Sequence, residues 1–132
     1  MKQTTREKLE NGRAANAFEK VKAQVNEAHA EDYKRFVKKM PMMIQTNGLG
    51  HTLAFYFSKK DAHKQVYEDL KDWCADSMPS ISGDEELIEQ IVNLDSEDYK
   101  WVTLEILAYL NWMRRFVEGM IEGKQGDPNA GD

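Results

Sequence analysis

The sequence has few of the residues that interrupt helices or cross-link small secreted folds. Its 132 residues include three prolines, eight glycines and a single cysteine, Cys74, so no disulfide can form within the chain. No apolar run approaches the roughly 18 residues of a membrane span, and no repeat of roughly 20 to 50 residues recurs. These absences predict a soluble, cytoplasmic protein without membrane association, in which long helices are permitted almost everywhere.

Composition and apolar periodicity together predict an all-α fold. Hydrophobic residues make up 41% of the chain and charged residues 31%, which is typical of a globular protein. Apolar positions recur at steps of three and four, as on one face of a helix. We therefore expect a compact single-domain bundle of five or six helices in residues 1–122, followed by a flexible acidic tail in residues 123–132. The predicted helices cover residues 5–28, 31–45, 49–58, 62–77, a short segment carrying residues 87–94, and a long segment that begins at residue 95.

Polar residues and one proline predict where these helices begin and end. Pro41 lies inside the second pattern, where its missing N–H predicts a kink or a restart. Asn47 and Gly48 follow, and both tolerate the left-handed conformation that ends helices. Aspartates precede the last three patterns and are the predicted N-caps: Asp61, Asp84 and Asp95.

The last helix carries two apolar stripes. The second stripe lies beside the first, so more than half of the circumference is apolar and the long helix is expected at the centre of the bundle. The first stripe is Tyr99, Val102, Ile106, Leu110, Met113, Val117 and Met120, and the second is Trp101, Leu104, Ala108 and Trp112.

Charge is distributed unevenly along the chain. Residues 34–64 hold seven positive side chains and one negative, Asp61, which gives this window a charge of +6 within a chain of net charge −5. The remaining residues therefore carry −11. Such an asymmetry indicates either a surface that faces a polyanion or a solvated basic face that binds nothing in particular.

Residues that could catalyse a reaction are few and scattered. His29, His51 and His63 lack the spacing of metal ligands, and Cys74 falls on the inward face of its helix, as a buried structural thiol would. Carboxylates in residues 84–86 and 95–98 precede helical patterns and are explained by capping. The sequence therefore predicts a protein that is not an enzyme and holds no metal or other cofactor.

Other features near the basic window leave binding alternatives open. Gly48 and Gly50, close to a helix start, could bind a phosphate through backbone N–H groups, although the lysine of a P-loop is missing. Aromatic residues here could stack on bases, but their periodicity favours core packing. Arg13 is read as a surface arginine that could also lie against a partner. The aromatic residues in question are Tyr33, Phe36, Phe55, Tyr56, Phe57 and Tyr67.

Two stretches resemble a known family. Residues 38–55, which contain the pattern Pro-x-x-Ile-x-x-Asn-Gly-Leu, and Tyr99 with residues 107–116 are similar to the small all-helical fifth subunit of the Cmr complex. Arg13-Ala14 and Tyr33 also fit, so the likeness extends from about residue 6 to residue 120. Cmr complexes are the type III-B CRISPR effectors.

The resemblance implies a non-catalytic accessory subunit of an RNA-guided antiviral complex. Members of the family stack as copies of themselves into an inner filament, contact other Cmr subunits, and help to line the channel in which crRNA and target RNA pair. The alternative is a protein-only helical adaptor whose basic segment binds an acidic partner. By the resemblance, RNA proximity is assigned to Lys38, Lys39, Asn47, Lys59, Lys60, Arg114 and Arg115.

Overall fold

Six α-helices account for most of the described chain. The computed structural model describes the backbone of residues 5–123 and the side chains from residue 9 onward, so residues 124–132 of the predicted tail lie outside the described residues. No strand occurs within residues 5–123, which confirms the all-α prediction. The helices are α1 (Thr5–Lys22), α2 (Ala30–Asn47), α3 (Leu49–Ser58), α4 (Ala62–Ser77), α5 (Leu87–Val92) and α6 (Ser96–Met120).

The long helix α6 lies against α1 and α2, while α4 packs on α2 and α3, and α5 packs on α3. Four tyrosines are fully buried at these junctions: Tyr33, Tyr56, Tyr67 and Tyr109. Each buried hydroxyl has a hydrogen-bond partner, as a polar group removed from water requires. The partners are Asp69, the carbonyl of Phe36, Glu86 and Asn16, in that order.

Helix α1 ends earlier than predicted, and helix α2 has no break at its proline. Helix α1 ends at Lys22 rather than at residue 28, because hydrogen bonds from the N–H groups of Gln24 and Val25 to carbonyls three residues back tighten the chain into turns. Helix α2 does not restart at Pro41, which lies inside an unbroken helix. Met40 and Ile44 are both buried on either side of the proline, and this packing holds the helix together.

Of the three predicted aspartate N-caps, only Asp84 is at the wrong position. Asp61 is the N-cap residue of α4, although its φ is 58° and its side chain forms no capping hydrogen bond. Asp84 lies before the actual start of α5, where the N–H of Ile88 donates to the buried Tyr67 hydroxyl at 3.1 Å. The hydroxyl of Tyr67, on α4, thus accepts an N–H at the start of α5 in place of a capping side chain. Asp95 is a true N-cap, since its Oδ1 accepts from the N–H of Asp98 at 2.8 Å.

Only one of the two apolar stripes on α6 enters the core. Val102, Ile106, Leu110, Met113 and Val117 are buried, as predicted. The second stripe remains largely open, because Trp101 is 57% exposed and Leu104 47% exposed. The reason is that α1 covers α6 further along, where Trp112 donates to Glu10 and Phe116 meets Phe18. Helix α6 packs against α1, α2 and α4, as expected of a central helix, but its second apolar stripe is only partly covered.

Candidate nucleic-acid interface

Helices α2 and α3 gather three cations around a single imidazole. The ring of His63, at the start of α4, stacks on Phe36 of α2 with a centroid distance of 3.5 Å. Burial lowers the pKa of His63, and the positive charges of Lys59, Arg35 and Lys39 lower it further. The fold thus brings together residues of the basic window from two different helices.

A second group of cations joins α2 to the C-terminal half of α6. Lys38 Nζ lies 3.4 Å and Arg114 Nε 3.6 Å from the same oxygen, Oε1 of Glu118. Arg114, Arg115, Asn111 and Glu118 line a polar depression of about 190 Å³. Glu118 neutralises part of the charge of Lys38 and Arg114, as Asp32, 2.9 Å from Arg35, neutralises part of the charge of the first group.

Three lysines of the window are both exposed and unneutralised, and we call them the cationic face: Lys39, Lys59 and Lys60. None of them forms an ion pair with a carboxylate of residues 9–123. Lys59 leans over the ring of Phe55, with Nζ 5.0 Å from the ring centroid. The ammonium groups of the cationic face are therefore available to an anion from outside.

Two lysines of the window do not belong to this surface. Lys34 is buried and donates from Nζ to the carbonyl of Ile121 at 2.8 Å, so it satisfies the C-terminal end of α6. Lys64 lies over Phe57 at 4.0 Å and donates to the carbonyl of the same residue. The sequence charge of +6 therefore overstates the charge that the window offers to a partner.

The glycine pair between α2 and α3 shapes the backbone but offers no free anion site. Gly48 has a φ of 87°, at which any residue with a side chain would be strained, and its N–H donates to the carbonyl of Ile44. The N–H of Gly50 donates to the hydroxyl of Tyr99 at 2.9 Å. Both donors are already used, so a phosphate site on these N–H groups is not supported.

Asn47, another predicted site residue, lines a groove of about 460 Å³ beside the cationic face. The other residues that line it are Met43, His51, Thr52, Ala54 and Phe55.

Most of the six aromatic residues that could stack on bases are not accessible. Tyr33, Tyr56 and Tyr67 are buried, and Phe36 and Phe57 are half-buried. Phe55 is the most open of them, at 40% exposure.

Comparison with known proteins places the chain in a family. A model of the CRISPR-associated protein family Cas_Cmr5 matches residues 9–120. A curated relative from Thermus thermophilus, called CRISPR system Cmr subunit Cmr5, is 30% identical over 110 residues, which cover 83% of this chain and 92% of the relative. The chain belongs to the Cmr5 family.

The fold agrees with that of a solved Cmr5-family protein. A crystal structure of a CRISPR-associated Cmr5 family protein, also from Thermus thermophilus, superposes with a TM-score of 0.75 at 28% identity, covering 92% of this chain and all of the other. The resemblance seen in residues 38–55, in Tyr99 and in residues 107–116 is thereby confirmed, and the family match extends over residues 9–120.

Chemically reactive groups of this Cmr5-family chain are either buried or isolated. Cys74 is buried as predicted, and burial raises the pKa of its thiol to about 12. Within the described residues no three His, Cys, Asp or Glu side chains lie close enough to hold a metal ion. Nor does any described helix have the length and apolar character needed to cross a membrane.

A polar network inside the Cmr5-family bundle is not predicted by any pattern in the sequence. Arg13 is not a surface arginine, because its guanidinium donates to both carboxylate oxygens of Glu105, at 2.7 and 2.9 Å. Hydrogen bonding to Glu105 is the main cause that raises the pKa of Arg13. Trp73 donates to the same carboxylate at 3.0 Å. No local spacing reveals this pairing, since Arg13 and Glu105 are 92 residues apart.

Proposed function

We propose that this chain is a non-catalytic small subunit of a type III-B CRISPR Cmr ribonucleoprotein and supports the binding of target RNA to crRNA in antiviral defence. Membership of the Cmr5 family supports its assembly with other Cmr subunits. The proposal of RNA contact is supported by the cationic face, which offers three exposed lysines on a chain of net charge −5. Such a concentration of positive charge is suited to phosphates.

The lysines contact the RNA backbone rather than its bases. Lys39, Lys59 and Lys60 would each approach a phosphate as a flexible point charge. Lys38 and Arg114 add weaker contacts because they share Glu118. Arg115 lines the polar depression beside Arg114, and Asn47 lines the groove beside Phe55. Phosphate contacts fix position without reading sequence. Sequence recognition is then left to pairing between guide and target.

Charge reversal of the cationic face within the reconstituted complex tests this function. The Lys39→Glu, Lys59→Glu, Lys60→Glu triple variant should lower target-RNA affinity by more than about tenfold at low salt. It should also reduce the slope of log affinity against log salt by about 0.7 to 0.9 per lost phosphate contact. Lys22→Glu and Lys100→Glu reverse exposed lysines elsewhere and serve as controls. Unchanged affinity and unchanged assembly in the triple variant would contradict the proposal.

The protein-only adaptor is kept as a second candidate because of one residue. Met42 on α2 is 72% exposed and follows the lysines of the same helix, and an open thioether suits contact with a protein surface. Photo-crosslinking from Lys38 or Lys60 in the assembled complex separates the two functions. An RNA adduct supports RNA contact, whereas adducts to protein alone support the adaptor.

Copies of the chain are proposed to stack head to tail, with the acidic first turn of α6 in one copy against the arginines of α6 in the next. Glu97 and Asp98 lie in the first turn, and Arg114, whose charge Glu118 partly neutralises, follows Asp98 by about 24 Å along the helix axis. Separate acidic and basic positions suit a contact that repeats without closing. The Glu97→Lys, Asp98→Lys double variant should weaken self-association in sedimentation velocity at low salt, whereas Glu89→Lys on α5 should not. Equal association in both variants would argue against this contact.

A further inference from the structure

The groove at the α2–α3 junction has the lining of a site for a flat ring. Phe55 forms an aromatic wall, and Met43 and Ala54 add apolar surface. Its volume of about 460 Å³ falls within the usual range for small-molecule sites. The hydroxyl of Thr52 donates to the carbonyl of Gly48 at 2.9 Å and so is already satisfied. A planar ring could therefore lie against Phe55 without leaving the Thr52 hydroxyl unpaired.

Two polar side chains on the groove form no hydrogen bond within the described part of the chain. Asn47 at the end of α2 and His51 in the first turn of α3 are both exposed, and neither side chain forms a hydrogen bond with the residues that the structure describes. The amide of Asn47 offers a donor and an acceptor side by side. Such a pair matches the edge of a nucleobase, which also presents donors and acceptors together.

Lysines of the cationic face stand at the edges of this groove. Lys39 lies four residues before Met43 on α2, and Lys59 lies four residues after Phe55, so each cation is about one helical turn from a wall residue. No carboxylate of residues 9–123 lines the groove. A ligand with an apolar ring and an attached anion therefore matches both the wall and the rim.

We propose that this groove binds one unpaired RNA nucleobase, stacked on Phe55 and held at its edge by Asn47, with the adjoining phosphate on Lys59 or Lys39. The inference rests on the proposed RNA contact and adds to it a preference for single-stranded nucleotides. A base inside a duplex has both faces stacked and its edge paired, so it cannot enter. An apolar protein side chain would fill the wall but leave the Asn47 amide without a partner.

The test is a titration of the isotope-labelled full chain, followed by NMR at low salt. The two probes are a short oligouridylate and an abasic strand with the same number of phosphates. The oligouridylate should shift the side-chain amide signal of Asn47 and bind roughly tenfold more tightly than the abasic strand, the gain expected for one stacked base. Phe55→Ala and Asn47→Ala should each remove most of this difference.

A closely matched control is available on α1. Phe18 is 39% exposed against 40% for Phe55, and each ring meets another aromatic ring edge to face. Phe18→Ala should therefore cost similar packing and leave oligouridylate binding unchanged. Equal binding of both strands that still requires the three lysines would overturn the nucleobase site and leave the proposed function standing. Absence of binding by either strand would contradict both.

Discussion

The interior of the bundle and the cationic face both contain charged side chains, but the contacts of these side chains differ. Inside, Arg13 is held by the two oxygens of Glu105, and the carboxylate of Asp69 accepts from Tyr33 at 2.6 Å. On the cationic face, Lys39 and Lys60 are exposed, and neither pairs with a carboxylate of residues 9–123. The interior charges therefore hold helices together, whereas the exposed lysines have no carboxylate partner within the described chain and can bind another molecule. Stability and binding should therefore depend on separate residues.

The largest loss of stability is expected when the internal ion pair is broken. Glu105→Ala removes the acceptor of the indole N–H of Trp73 and of two hydrogen bonds of the partly buried Arg13, which keeps only its bond to Glu10. We expect the free energy of unfolding to fall by about 3 kcal/mol, because removing one partner of a buried ion pair leaves the other charge poorly compensated. Urea denaturation measures this, with Glu19→Ala on the exposed side of α1 as the control. A loss as small as that of the control would mean that the network does not hold α1 to α6.

A pH-dependent loss is expected from Asp69, the second interior carboxylate. Burial raises the pKa of Asp69 to about 6 from an ordinary value of 3.8, despite hydrogen bonds from Tyr33 and Gln65. The folded state therefore holds this proton more tightly than the unfolded state. The resulting stabilisation is complete below about pH 3.8 and disappears as the pH rises through about 6. Its size is at most about 3 kcal/mol.

Asp69→Asn cannot titrate and should lack this contribution. The difference in unfolding free energy between the wild type and the variant should change by up to about 3 kcal/mol between pH 4 and pH 7, in favour of the wild type at low pH. Asp76→Asn, an exposed change on the same helix, is the control. A constant difference across this range would show that Asp69 does not titrate there.

A smaller effect is expected at the junction that supports the cationic face. Gly48 has a φ of 87°, so Gly48→Ala should destabilise the fold by about 1 kcal/mol. Gly119 in α6 has no atom within 4 Å of an added Cβ, and Gly119→Ala should instead stabilise by up to about 1 kcal/mol. Thermal denaturation of each variant shows whether its melting temperature falls, as expected for Gly48→Ala, or rises, as expected for Gly119→Ala. Equal signs would mean that backbone conformation does not set the stability of this junction.

Local patterns predicted the helices well and the polar contacts poorly. Helices α3 and α4 have both predicted ends, since their apolar spacing and their breakers lie within a few residues of each other. Lys34 falls within the window 34–64 that predicts a basic surface, yet its ammonium donates to the carbonyl of Ile121, 87 residues away. The prediction that Arg13 lies on the surface is wrong for the same reason. Which charges are buried depends on packing between distant helices, and no spacing along the chain encodes it.

The smallest change in stability is expected on the cationic face itself. Lys39→Ala, Lys59→Ala and Lys60→Ala remove exposed charges with no carboxylate partner in the described chain, so each should change the unfolding free energy by less than about 0.5 kcal/mol. Lys59 should cost slightly more than Lys60, since only Lys59 lies over an aromatic ring, at 5.0 Å from that of Phe55. Chemical denaturation in low and high salt measures these differences. Because the lysines are mutually repulsive, removing two together should be neutral or slightly stabilising at low salt. A large loss would mean that these cations hold the fold together, and the contrast with the interior would no longer stand.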